Sequence, residues 1–384
     1  MNTRAHHLYT LTLLILGLTG LPARAQLIHD HTLLGRYINK FVNDTTSPAK
    51  PRFLLYPTAT FAPETSLEIG VSSLYLYHAR GDYKNNRLSE INAFTFVTLR
   101  GQYGLNIDNA LYGHRDNWLF IGRTRVQQFP LLYWGIGRDA APNDPATVDA
   151  FSVQIRQRAL KGIGKNLFLG PQFDFQSLGR VSFKQGEGRT FDMPTGANGS
   201  ANLGLGASFV YDSRKNPLNP RQGFFGEIAH LEYSPFWGST YRFQNTNFDL
   251  RYYHRVKKSQ VIAWQGFGQF MGGTVPFNQL ALLGNEIIMR GYYPGRFRDR
   301  AYVATQVEYR FLPFPFSKRF GGALFASLGT VGSTPAQLDM RKLLPAGGAG
   351  IRYYLFPKKD IFLRFDVGFT REGPGFYVFT GEAF

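Results

Sequence analysis

In the stretch Ile361-Phe362-Leu363-Arg364-Phe365-Asp366-Val367-Gly368-Phe369 the odd positions are apolar, and Arg364 and Asp366 fall between them. The same alternation runs through Val303, Thr305, Val307, Tyr309 and Phe311, with Gln306, Glu308 and Arg310 on the other face, and through Phe248, Leu250 and Tyr252 against Asp249 and Arg251. Successive side chains of a strand point to opposite faces, so a period of two with charge on one side describes a strand with one apolar and one polar surface. Segments of this kind are predicted near 65–78, 89–100, 117–129, 148–160, 166–178, 200–212, 223–234, 244–256, 259–271, 301–311, 320–331, 346–356, 360–370 and 375–383, which makes 14 strands counted directly. Alternation at Tyr103, Leu105, Ile107 and Leu111 marks 99–117 as a place for one further strand, and 179–192 is another.

Clusters of Pro, Asn and Gly separate the segments, as in Asn216-Pro217-Leu218-Asn219-Pro220-Arg221-Gln222-Gly223 and Leu312-Pro313-Phe314-Pro315. Such clusters favour turns, because proline fixes φ and glycine admits positive φ. The longer polar connections, 79–88, 138–147, 184–199 and 272–300, read as candidate extracellular loops.

The N-terminus has a different pattern. Arg4 precedes the apolar run Leu11, Leu13, Leu14, Ile15, Leu16 and Leu18, and Ala23-Arg24-Ala25 follows. Basic, apolar and small-x-small segments in that order describe a secretory signal peptide over 1–25, cut between Ala25 and Gln26. The run is shorter than the roughly 18 apolar residues of a membrane-spanning helix.

Composition fits strands with one face in lipid and the other in a polar lumen. Aromatic residues are 16%, with 35 Phe and 21 Tyr, yet the mean hydropathy is only −0.22. No long apolar run follows the leader, which excludes helical spans. The 42 glycines suit a turn-rich β fold, and the absence of Cys excludes disulfides and thiol chemistry. A β-propeller would also repeat short strands, but the chain has no blade-length repeat. The final Phe384, with Phe376 and Phe379 before it, gives the aromatic last strand expected where a barrel closes.

Removing Arg4 and Arg24 with the leader, which carries no acid, takes the formal charge from +17 to +15. Nucleic-acid binding is excluded because the basic residues alternate along strands, as at Arg123 and Arg125, and form no cluster. The charge instead suits a cationic lumen and loops facing the phosphates of outer-membrane lipid, lipopolysaccharide included. Motifs for chemistry are missing: there is no phosphate-cradling glycine loop, His-Glu-x-x-His pair or Gly-x-Ser-x-Gly turn. His29 and His31, the one close histidine pair of the mature chain, fall in a short solvated segment, so no metal or cofactor is expected.

Two segments are more specific. In Val210-Tyr211-Asp212-Ser213-Arg214, followed by Pro220 and Gly223, an Asp-x-Arg pair precedes a Pro-x-x-Gly turn, and Asp212 and Arg214 can pair with each other or bond the turn's backbone. In Leu283-Gly284-Asn285-Glu286-Ile287-Ile288-Met289-Arg290-Gly291-Tyr292 an Arg-Gly-aromatic triplet lies within a long loop. Three predicted strands separate the two motifs and five follow the second. In these motifs and their order the chain resembles the BamA/TamA (bacterial surface antigen) superfamily of outer-membrane protein-assembly barrels. The resemblance covers the mature chain and implies an all-β, closed antiparallel transmembrane β-barrel of 16 strands over 61–384. It also implies that the loop from about Gly272 to Arg300 folds into the lumen, where Arg290 meets a wall carboxylate at the position of Glu308. Ser327 stands where relatives often carry an acid, which leaves the Arg290 clamp one carboxylate partner. Weak apolar content makes this pair the main restraint on the loop. Relatives receive clients through several periplasmic POTRA domains, whereas 26–60 forms only a short periplasmic segment.

Three readings follow. The chain is a barrel, not an enzyme, that assists insertion or translocation of proteins or lipids through a seam between first and last strands, with client outer-membrane proteins and a separate periplasmic protein as partners. Alternatively it is a passive channel or structural barrel, or a lipid hydrolase of the outer membrane. In each case N-terminal sequencing of the purified protein is expected to begin at Gln26; a retained Met1 would contradict export by this leader.

Overall fold

The computed structural model describes residues 47 and 49–384, apart from 63–65, 100, 141–143, 186, 187 and 189. The signal peptide, the Ala25–Gln26 site and most of the segment that follows lie outside the described residues. The first twelve strands are β1 (Arg52–Ala62), β2 (Ser66–His78), β3 (Leu88–Thr98), β4 (Tyr103–Tyr112), β5 (Trp118–Gln128), β6 (Leu131–Tyr133), β7 (Ala146–Gly164), β8 (Leu167–Lys184), β9 (Ser200–Asp212), β10 (Gly223–Tyr233), β11 (Phe243–Lys257) and β12 (Gln260–Gly273). There follow β13 (Ala281–Leu283), β14 (Phe297–Asp299), β15 (Ala301–Phe311), β16 (Phe320–Gly332), β17 (Leu344–Phe356), β18 (Ile361–Thr370) and β19 (Gly373–Thr380).

Every ladder is antiparallel between neighbours in sequence. Three short strands fall outside this succession: β6 resumes the pairing of β5 along β7, and β13 and β14 form a separate hairpin inside the loop 274–300. Sixteen strands therefore make one continuous meander, the number implied by the family resemblance. No ladder joins β19 to β1 among the described residues.

Period-two patterning settles which way each strand faces. On β18 Phe369 is 58% exposed on the outer face while Asp366, on the inner face, is 0% exposed. On β15 Val307 points outward, and Gln306, Glu308 and Arg310 are buried inside. A slip of one residue would turn these charges into lipid, so the pattern fixes the register.

The structure adds two strands to the fourteen counted. β4 fills the stretch 99–117, whereas 179–192 holds only the end of β8. β1 starts at Arg52, inside the segment 26–60, so the sheet begins before residue 61. Missing β1 also reversed the sidedness of one loop. With β2 taken as the first strand, 79–88 falls at the extracellular end; with β1 in place it falls at the opposite one. The contacts agree: Arg115 N donates to Asn86 Oδ1 at 2.7 Å and Arg87 Nη2 to Asn166 Oδ1 at 2.8 Å, joining 79–87 to the short turns 113–117 and 165–166. At the other end Phe277 N donates to Thr195 O, and Gly137 N to Arg298 O at 2.8 Å, which gathers the long loops.

Short turns face the periplasm and longer loops the exterior in barrels of this kind. With a membrane-impermeant maleimide on intact cells, Lys342→Cys is expected to label and Lys84→Cys to stay unlabelled until the outer membrane is permeabilised. The reverse pattern would contradict this orientation.

Candidate functional site

The loop 274–300 turns back into the barrel. Ala281, Leu283, Ile288, Met289, Tyr292 and Phe297 of the loop pack on Tyr302 and Ala304 of β15, Val331 of β16, and Leu344 and Ala346 of β17. The loop is therefore held by an apolar cluster as well as by charge, contrary to the weak apolar content expected of it. Burying such side chains contributes ~1.5–3 kcal/mol each in transfer free energy, against which the cost of ordering a long loop is set. Within the loop Asn285 Oδ1 accepts from Ile287 N at 2.7 Å and Ile288 N at 2.9 Å. The wall binds two loop carbonyls: Gln306 Nε2 donates to Ile287 O at 2.9 Å and Arg364 Nη1 to Glu286 O at 3.2 Å.

These contacts present Arg290 to the inner wall. Its guanidinium is 0% exposed and donates Nη2 to Glu308 Oε1 and Nη1 to Asp366 Oδ2, the latter at 2.5 Å. It lies over the Phe325 ring, 3.6 Å from the centroid. Arg290 thus has two carboxylate partners, on β15 and β18, not the single one expected from Ser327. Ser327 instead lies 3.5 Å from Gln306 Oε1, and Asp366 supplies the second acid from another strand.

The same acids hold other arginines. Glu308 Oε2 accepts from Arg310 Nε at 2.7 Å. Asp366 accepts from Arg352 Nη1 at 2.5 Å and from Arg364 Nη1 at 2.9 Å. Glu382 binds Arg352 Nε at 3.0 Å and lies 3.7 Å from Arg310 Nε. Four guanidiniums and three side-chain carboxylates form one connected cluster, its side chains at most 3% exposed.

Glu382 reaches the cluster because the chain does not continue as a strand to its last residue. β19 ends at Thr380, and Gly381 at φ +87 turns the backbone inward, a conformation disfavoured for residues with a Cβ. Phe384, expected in the last strand, lies in the lumen instead: it is 2% exposed, its ring lies 4.8 Å from the Arg310 guanidinium, and its backbone oxygen accepts from Arg310 Nη2 at 3.2 Å. Phe376 points outward on β19, and Phe379 is on the inner face, 5.3 Å below the Arg364 guanidinium.

Gly291 and Tyr292 complete the loop tip. Gly291, at φ +110, lies so close to β18 that an added Cβ would meet Thr370 Cγ2 at 2.6 Å. Its N–H donates to Tyr377 Oη on β19 at 2.8 Å. Tyr292 Oη donates to Pro345 O at 3.0 Å. The turn motif forms a separate knot near the short-turn end. Arg214 grips Asp212 through Nε at 3.0 Å and Nη2 at 3.1 Å, and Tyr112 Oη donates to the same acid at 2.9 Å. Pro220 is buried, and Gly223 takes φ +120 where a Cβ would lie 3.0 Å from Ser213 O. Alternation placed Arg364 on the inner face and could have found Arg352; Glu382 had no periodic signal.

Charge counting predicts unequal costs. Removing Arg290 leaves three arginines facing three acids, each acid still paired, so Arg290→Ala is expected to cost ~1–3 kcal/mol. Removing Asp366 leaves Arg364 with no carboxylate, and removing Glu308 takes one of two from Arg290 and the nearer of two from Arg310, so Glu308→Ala and Asp366→Ala are expected to cost ~3–5 kcal/mol each. The temperature at which the folded gel band converts to the unfolded one measures this ranking. A larger loss for Arg290→Ala would contradict it.

A family model described as the Omp85 superfamily domain matches residues 151–355, more than half of the chain. Among solved structures the chain is similar to BamA from Haemophilus ducreyi lacking POTRA domains 1–3, with 14% identity and a TM-score of 0.51 over 86% of this chain and 69% of that one. It is also similar to CdiB from Acinetobacter baumannii, at 12% identity and a TM-score of 0.53 over 85% of this chain and 59% of that one. CdiB from Escherichia coli gives 8% identity and a TM-score of 0.50, with 86% and 61% covered. The chain thus spans about three fifths of each CdiB chain. No curated protein matches the sequence. On the family match, the 16-strand meander and the shared fold, the chain belongs to the Omp85 superfamily of Gram-negative outer-membrane β-barrels.

Proposed function

We propose that the protein assists the insertion or translocation of other proteins, or of lipids, at the outer membrane, by way of the wall at β19 and not through the lumen. The observation that carries this reading is the hydrogen bond from Gly291 N to Tyr377 Oη. It ties the tip of the lumen loop to the last strand, so the loop also bears on the edge of the sheet. Among the described residues β19 forms a ladder with β18 alone. A strand paired on one side presents backbone donors and acceptors that can template an incoming strand. In this account the clients are outer-membrane proteins, a separate periplasmic protein delivers them, and the barrel performs no covalent chemistry.

The chain contains no Cys, so cysteine pairs can be stepped along residues 52–58 of β1 and 376–380 of β19 without background. Depletion of the protein is expected to change the census of outer-membrane proteins or lipids. A barrel locked by a β1–β19 disulfide is expected to fail to restore it, and reduction to recover the effect. Full restoration by a completely locked barrel, together with ion conductance, would favour a channel.

A further inference from the structure

The net positive charge has a location that lumen pairing leaves unexplained. Each of the seven connections at the short-turn end carries an exposed cation. Arg80 and Lys84 lie in 79–87, Arg115 in 113–117 and Lys165 in 165–166. Lys215 lies in 213–222, Lys258 in 258–259, Lys318 in 312–319 and Lys358 in 357–360. Two of the acids at this end pair with other arginines, Asp116 with Arg87 at 3.1 Å and Asp360 with Arg221 at 2.6 Å, and Asp82, bonded to the Asn85 amide at 2.8 Å, is outnumbered in its turn by Arg80 and Lys84. At the long-loop end the signs are mixed, with Asp139 and Asp192 exposed as well as Arg341, Lys342 and Arg371.

We infer that the short-turn rim is a binding ring for anionic glycerophospholipid headgroups in the leaflet that surrounds it. Its distribution selects the partner. A docked protein would cover one sector or the mouth, whereas the cations encircle the barrel, and a lipid leaflet is what meets the whole circumference. Two neighbouring features place the ring at headgroup depth. Phe316, 86% exposed and stacked on Phe314 at 5.1 Å, stands two residues from Lys318, an aromatic of the kind found at membrane interfaces. Lys161 lies outside the turns, paired across β5 and β7 with outward-facing Trp118, a position from which a long stem along apolar wall can bring its ammonium to the rim. Phosphates attract such cations over about a Debye length, roughly 10 Å at 0.1 M salt.

Electron spin resonance of spin-labelled lipids around the barrel in phosphatidylcholine membranes tests the ring. Labelled phosphatidylglycerol is expected to be preferred over labelled phosphatidylcholine by about three- to fivefold, and less so as salt rises. Combined Lys165→Glu, Lys258→Glu and Lys318→Glu should bring the preference close to parity, while Arg341→Glu with Lys342→Glu should leave it unchanged. Heat-modifiable migration checks that each variant is folded; if the triple reversal does not fold, the triple Gln variant is expected to lower the preference. No preference in the unaltered protein, or equal loss from both sets of variants, would overturn the inference. So would crosslinking of these lysines to an acidic protein without any lipid selectivity.

Discussion

A guanidinium buried in a barrel needs acceptors for its donors, and here four guanidiniums share three side-chain carboxylates. That sharing governs the interior. Arg290 comes from a loop, Arg310, Arg352 and Arg364 from three strands, and Glu382 from the tail, so no acid serves one partner only. A buried ion pair is often close to neutral for net stability, because desolvation offsets attraction, while loss of one partner is costly. The cluster is therefore better understood as fixing one arrangement of loop, wall and tail than as a large store of folding energy. The apolar packing of Met289, Ile288 and Tyr292 supplies the non-directional part of the hold.

This arrangement links the lumen to the edge of the sheet. The backbone at Gly291 passes against β18 and donates to β19, and the tail that follows β19 returns its Glu382 to the same arginines. Loop, last strand and tail are thus successive parts of one charged unit. Away from it, smaller knots such as Arg156 with Asp174 and Arg158 with Glu227 pair wall to wall. Internal charges are largely balanced, and the excess charge gathers on the rim.

Much of this was legible before the structure. Alternation put Glu308, Arg310, Arg364 and Asp366 on inner faces, and the Arg-Gly-aromatic triplet marked the loop that meets them. Pro57 hid β1, since proline argues against a central strand, and here it lies in the terminal strand of the meander, where it is tolerated. β4 was obscured by Asn106, Asp108 and Asn109, poor strand formers, with Asp108 held by Arg123 and Arg125. The inward turn at Gly381 depends on tertiary contacts that no periodicity records, which is why Phe384 was placed in a strand. Asp366 was legible as a lumen carboxylate, but as an alternative to Glu308 and not as a second partner, since nothing local joins it to Arg290, 76 residues away in sequence.

The claim that loop and tail form one unit is tested most directly by hydrogen exchange of residues 284–296 in Glu382→Gln. Glu382 has no hydrogen bond or ion pair to that loop and acts on it only through Arg352 and Arg310 with their shared acids. The account predicts faster exchange at Gly291 and its neighbours in the variant, with the strand ladders still protected. Unchanged protection of the loop would contradict it.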